Sequence, residues 1–376
     1  MQGHAHFSGI PYLGLDPETA PVLDQIFEGN SSDAAELCKK HEKPKFKECE
    51  NIWISVVGLD RVGDDVERHG KLSVGYGANA DKIGPELSFG LYLQEKESAT
   101  EPILIIKTAW GGRSLNTDFR PPSAGIFQYS EESMNDWERH NKDPNKTVAD
   151  MQEEKRIASG HYYKLMMEHI RHILSDIPRV CPTYNPDLGY ELKGFFWFQG
   201  WNDVVDRSVY RERDRPGGYD EYGRLLSLFI QDVRSELAVP TLPFVIGVLG
   251  VGGFHEENSL HGRFRKAMEL PVEKDKLENV VAVRTEDFWD AELEELDQKW
   301  AQLQRKLRTS REEKAFQSKE EEKEAFDAWT NEEFSPEDLE KYRLGRSNFG
   351  FHYHGNSQFF VKAGKAFAEA IHKFSA

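Results

Sequence analysis

What most constrains this chain is a rhythm of short apolar runs, rich in β-branched and aromatic residues, each closed by turn residues and followed by a helical pattern. The runs are Ile52 to Val57, Ile103 to Thr108, Gly194 to Phe198, Phe244 to Leu249 and Val280 to Val283. Runs of this kind predict strands buried on both faces, hence a parallel sheet with helices above and below it. Between the runs, Met166, Ile170, Ile173 and Leu174 mark one stripe at helical spacing. Leu226, Ile230, Val233 and Leu237 mark a second, and Phe360, Ala363, Phe367 and Ile371 a third. The expected fold class is α/β, a three-layer α/β/α sandwich around a mainly parallel sheet. In such sheets ligands bind outside the carboxyl ends of the strands.

Two segments break the rhythm. Around Pro122 to Ser159 the chain is polar and punctuated, which predicts a long surface excursion between a strand and its helix. From Ala291 to about Tyr342 it becomes rich in Glu and Lys, with Leu293, Leu296, Trp300, Leu303 and Leu307 spaced by three and four. That spacing predicts a charged helical insertion, a hairpin or arm, which is either solvated or pairs two subunits into a homo-oligomer. The expected organisation is therefore one domain over residues 1–290 and 343–376, with residues 291–342 as the arm.

Composition narrows the partners. The net charge of -17 argues against nucleic acid and against an anionic membrane surface, both of which need excess Lys and Arg on one face. No run of eighteen or more apolar residues occurs, so no membrane-spanning helix is expected. Met1-Gln2-Gly3-His4-Ala5-His6 has neither a basic leader nor an apolar core, so no signal peptide is expected in this chain, and the compartment stays open. Cys38, Cys49 and Cys181 fit neither a disulfide framework nor a zinc knuckle and read as structural thiols, with a Cys38–Cys49 bridge conceivable only on export.

Three strand-tip loops hold the residue types of acyl transfer. In Thr108-Ala109-Trp110-Gly111-Gly112-Arg113-Ser114, a glycine pair at a strand end lets backbone N–H groups approach a developing oxyanion. Alone, it is equally a tight turn. In Trp197-Phe198-Gln199-Gly200-Trp201-Asn202-Asp203, amides and a carboxylate crowd the end of a buried strand, where an amide N–H of Gln199 or Asn202 is a second oxyanion donor. The alternative is an Asn/Asp turn satisfying its own backbone. In Gly350-Phe351-His352-Tyr353-His354-Gly355, a loop histidine ahead of the last helix is the residue type of a general base.

In that order the blocks resemble the SGNH superfamily of hydrolases, with its flavodoxin-like sandwich. The pairing of W-F-Q-G-W-N-D with F-R-P-P-S-A-G is most similar to sialate O-acetylesterase-like carbohydrate esterases. The likeness includes Ile83-Gly84-Pro85-Glu86-Leu87-Ser88-Phe89-Gly90 and excludes the arm. It implies serine acyl-enzyme hydrolysis of an acetyl ester on a small-molecule or polysaccharide carbohydrate, without cofactor or metal, in an exported protein. His352 would be base and then acid, with His354 as backup; Gly111, Gly112, Gln199 and Asn202 would form the oxyanion hole; Trp110, Trp201 and Arg113 would bind substrate.

Two departures qualify the likeness. Relatives open with a strand and a G-Q-S-N-M turn whose serine is the nucleophile, and Met1-Gln2-Gly3-His4 resembles the continuation of that motif. The expectation is that the first strand and the serine lie ahead of Met1 and that this chain alone has very low esterase activity. Relatives also place Asp three residues before the histidine, where Phe349 stands here. The acid is left unassigned among Glu286, Asp287 and Asp290, or a dyad dispenses with one. Two rival readings remain: a non-catalytic carbohydrate-binding relative, and a metal-dependent hydrolase using the pairs His4/His6 and His352/His354.

Overall fold

The structure is a computed structural model that describes residues 1–58, 66–96 and 101–374. Its strands are β1 (Ala5–His6), β2 (Ile52–Val57), β3 (Arg68–Lys71), β4 (Lys82–Ile83), β5 (Ile103–Thr108), β6 (Phe195–Trp197), β7 (Phe244–Val248) and β8 (Val280–Arg284). The five expected apolar runs all hold strands, and the three stripes lie on the helices His161–Ser175, Asp220–Glu236 and Ser357–His372, with Leu237 as the C-cap of the second. The fold is α/β. Strands β6, β7 and β8 form one parallel sheet in that order. Strand β2 pairs in parallel with β5 and antiparallel with β3 in a second sheet, while β1 and β4 form a short antiparallel pair. The antiparallel edge was not expected, because Arg68-His69-Gly70-Lys71 is polar throughout and lacks the aliphatic run that marks the other strands.

The side chains of β6 show the layering. Phe195 and Trp197 meet Phe229 of the helix Asp220–Glu236, with ring centroids 5.9 and 4.4 Å apart. Phe196, pointing the other way, meets Phe89 at 4.5 Å and Phe367 at 6.2 Å, on the helices Pro85–Lys96 and Ser357–His372. Successive strand residues face opposite sides, so helices cover both faces and the three-layer sandwich follows. Among the described residues, β5 and β6 each pair on one side only. Every residue of β5 is half-buried, whereas β7 is buried throughout.

The two irregular segments differ in detail from expectation. The stretch 122–159 contains a 3-10 turn at Pro122–Ala124 and two α-helices, Glu131–His140 and Val148–Ala158; the second is started by a capping box between Thr147 and Asp150. The arm is three helices, Ala291–Glu312, Lys319–Glu333 and Pro336–Gly345, where a hairpin was one of two forms expected. Leu293, Leu296 and Leu303 are buried against Phe334 and Tyr342, with Trp300, Phe326, Trp329 and Leu339 around them. The leucine stripe is therefore spent inside the chain. Cys38, Cys49 and Cys181 are free, buried thiols, and burial pushes Cys38 up to about 12 and Cys49 up to about 11. No described helix is long and apolar enough to cross a membrane.

Candidate active site

The loops after β5 and β6 are tied together by one carboxylate. Asp203 has no exposed surface. Its Oδ2 accepts from Leu115 N at 2.8 Å and Gln199 Nε2 at 2.7 Å; its Oδ1 accepts from Asn116 N and Tyr210 OH, each at 3.0 Å. Burial pushes this carboxyl up to about 6, opposed by those four donors. A second knot is the Arg113 carbonyl, which accepts from Gln199 Nε2 at 2.9 Å and Asn202 Nδ2 at 3.2 Å. A side-chain amide has two N–H donors. Gln199 has given both away, whereas Asn202 has given one, so Asn202 keeps a donor that Gln199 lacks. Gly200 lets the chain turn here: a Cβ would come within 2.7 Å of the Phe264 ring. Arg120, in the F-R-P-P-S-A-G block, braces the same loop by donating to the carbonyls of Asn116, Ala124 and Gly125.

The first residues of the chain run between these tips. The Met1 backbone nitrogen donates to Phe198 O at 2.7 Å, Lys107 Nζ donates to Gln2 O at 2.8 Å, and Gln2 Nε2 donates to Gly58 O at 2.9 Å. Lys107 is held by Glu86 at 2.9 Å and Tyr76 O at 2.6 Å. Gly3, at φ 85°, is pressed onto Gly84, where a Cβ would sit 2.3 Å from the Gly84 Cα. Only glycine permits that approach at that backbone angle. Gly111 lies against Gln2: a Cβ on it would be 3.2 Å from Oε1.

The histidine loop closes over this segment. His352 stacks on His4, centroids 3.8 Å apart and planes 8° apart, and Phe351 stacks on Trp201 at 5.9 Å. The base candidate and the amide-bearing tip are therefore neighbours through adjacent residues. The loop is strained: Tyr353 and His354 both take φ 56°, a region non-glycine residues rarely adopt and which concentrates at functional sites. Tyr353 is buried and stacks on Phe359 at 3.7 Å, and its hydroxyl accepts from Gly250 N at 3.3 Å. His352 Nδ1 lies 2.8 Å from Asn348 Oδ1. Burial, reinforced by Lys82, brings His352 down to about 4; burial, then His352 and Lys82, brings His4 down to about 3.

Other expected site residues have different surroundings. His354 is buried and bonded through Nε2 to Glu294 at 2.9 Å, so it faces the arm. Trp201 stacks on His261 as well as Phe351, and Trp110 packs edge-on to Tyr162 at 5.2 Å, so both rings are engaged in packing. The Arg113 guanidinium lies 4.1 Å from the Tyr162 ring centre and 3.7 Å from Asp118. Gly112 sits exposed at φ 72° with open space around it. Of the acids considered, Glu286 pairs with Arg265 at 2.6 Å, and Asp290 accepts from Tyr12 OH at 2.6 Å and Asn356 Nδ2 at 3.1 Å. The two H-x-H pairs do not converge. His4 and His352 stack face to face, His6 Nδ1 turns to Ser8, and no cluster of three metal-ligating side chains occurs among the described residues. The sequence did not single out Asn348 or Lys82, and it offered His4 only as a metal ligand. Asn348, four residues before His352, is a polar group one position beyond the place inspected for an acid.

A sequence model of the family described as "Carbohydrate esterase, sialic acid-specific acetylesterase" matches residues 55–298. The chain belongs to this carbohydrate esterase family. The match covers the loops of both oxyanion blocks and ends in the first arm helix, short of His352. Among solved structures, the chain resembles an Arabidopsis thaliana protein at 18% identity, covering 64% of this chain and 70% of that one, with a TM-score of 0.35. It also resembles a carbohydrate acetylesterase from Xanthomonas citri at 14% identity and a TM-score of 0.39, covering 76% of this chain and 49% of that enzyme, about half its length. No curated protein matches the chain.

Proposed function

We propose that this chain is the body of a carbohydrate O-acetylesterase that works through a serine acyl-enzyme, with acetylated sugars as substrates. One observation supports the reading above the rest: the His352 loop, the Asn202 tip and the Gly111 turn gather around residues 1–4. In this reading His352 removes the proton from the attacking serine and later returns it to the leaving alcohol. The free amide N–H of Asn202 and the backbone at Gly111 and Gly112 hold the oxyanion, and Gln199 is a brace. Arg113 contacts the sugar. This reading needs a nucleophilic serine beside the Met1–Gln2 segment that bridges the tips of β5 and β6. The arm is a solvated insertion whose leucines are buried within the chain.

The test is hydrolysis of p-nitrophenyl acetate by protein extended upstream of Met1, with and without His352→Ala. The reading expects activity in the extended protein and a loss of at least about a hundredfold on removing the base. Activity indifferent to that change, or none in the extended protein, overturns it. A second reading, a carbohydrate-binding relative without turnover, is favoured by one observation: the group found at His352 Nδ1 is an amide and carries no charge. Sugar binding without hydrolysis by the extended protein would select it.

A further inference from the structure

We propose that Asn348 is the positioning residue of His352, its side-chain oxygen standing in for a catalytic acid and fixing which ring nitrogen is left to accept a proton. The role of His352 as base rests on the esterase reading; the assignment of Asn348 rests on the loop geometry alone. Asn348 Oδ1 lies 2.8 Å from His352 Nδ1 and 2.8 Å from the backbone nitrogen of Phe349. A peptide N–H can only donate, so the amide atom it meets is an acceptor, which assigns oxygen to that end of Asn348. An acceptor facing Nδ1 requires the proton on Nδ1. Nε2 of the neutral ring is then the lone pair, the tautomer a general base needs.

The loop is built to hold this pair in register. Asn348 N donates to His354 O at 2.7 Å and His354 N donates back to Phe349 O at 3.0 Å, closing the chain on itself across the left-handed Tyr353 and His354. Residues 348 and 352 are thereby fixed on facing sides of a tight ring. An amide oxygen orients an imidazole without adding charge, as in the Cys-His-Asn proteases. The titratable and charged groups facing His352 are His4, stacked on it, and Lys82; neither stabilises a second proton on the ring. The ring accordingly stays neutral well below the pH at which an ordinary histidine charges.

The decisive measurement is the ring-nitrogen NMR of His352 in the uniformly 15N-labelled full chain. The expected signature is a protonated Nδ1 and a bare Nε2, persisting as pH falls toward about 4. Asn348→Ala should abolish the fixed tautomer, and Asn348→Asp should keep it and raise the protonation midpoint by roughly 1–3 pH units. A ring protonated on Nε2, or a midpoint that Asn348→Asp leaves unmoved, overturns the proposal; if Asn348→Ala does not fold, the Asp variant decides. The signals do not require turnover. The expected tautomer in an upstream-extended protein without esterase activity therefore removes the hydrolase reading and keeps Asn348 as positioner. Full His352-dependent activity in Asn348→Ala does the reverse.

Discussion

Asp203 illustrates how much one buried side chain can decide. Four donors from three separate stretches of chain end on its two oxygens, so removing it leaves backbone N–H groups of Leu115 and Asn116 unpaired away from water. Each orphaned donor costs about 1–3 kcal/mol, so Asp203→Ala should lower stability by at least about 2 kcal/mol in urea unfolding. The pH dependence has a definite sign. The native pKa, about 6, lies above the ordinary 3.8, so the folded state binds this proton more tightly than the unfolded one. The contribution is fully present below pH 3.8 and lost as pH rises to about 6. Asp203→Asn should be less stable overall yet lack that fall. At this scale the sequence was half legible. It singled out Asn202 and Gln199 as a pair, but only coordinates show that one has a donor to spare. Asn348 escaped because its partnership with His352 depends on a loop bent through left-handed residues, which no spacing rule encodes.

Among the elements, the arm is the one most directly coupled to the histidine loop. Asp290, at the start of Ala291–Glu312, caps that helix through Leu293 N and accepts from Tyr12 and Asn356, while Glu294 one turn later holds His354. Removing that carboxylate leaves a buried imidazole without its strongest partner. Glu294→Ala should therefore destabilise the loop by about 1–3 kcal/mol, seen as faster amide hydrogen exchange across residues 350–355 while the β7 amides keep their protection. The strands and long helices were legible because aliphatic runs and helical stripes obey simple periods. The third arm helix was not separated from the others in sequence, although Ser335 followed by Pro336 is a helix-start signal; Ser335 does accept from Asp338 N. The polar β3 had no period to read.

For the whole molecule, acid should be the weak direction. Burial holds His4 at about 3 and His169, His261 and His352 at about 4, all below the ordinary 6.5. A histidine depressed in the folded state contributes stability that is complete above pH 6.5 and lost as pH falls through the native value. Their losses fall in the same window between pH 6.5 and 4 and outnumber the opposite contribution of Asp203. The unfolding temperature should drop steeply over that interval, and His169→Gln, whose ring meets Ser55 of β2, should make the drop shallower.

Strand β5 has a consequence for handling. Among the described residues, Ile103 to Ile106 form a half-covered aliphatic ribbon paired with β2 alone, the template along which separate molecules join into aggregates. A net charge of -17 keeps molecules apart at low ionic strength. Salt shortens the reach of that repulsion, so light scattering from concentrated protein should climb as sodium chloride is added, and dilute, low-salt buffers should keep it monodisperse.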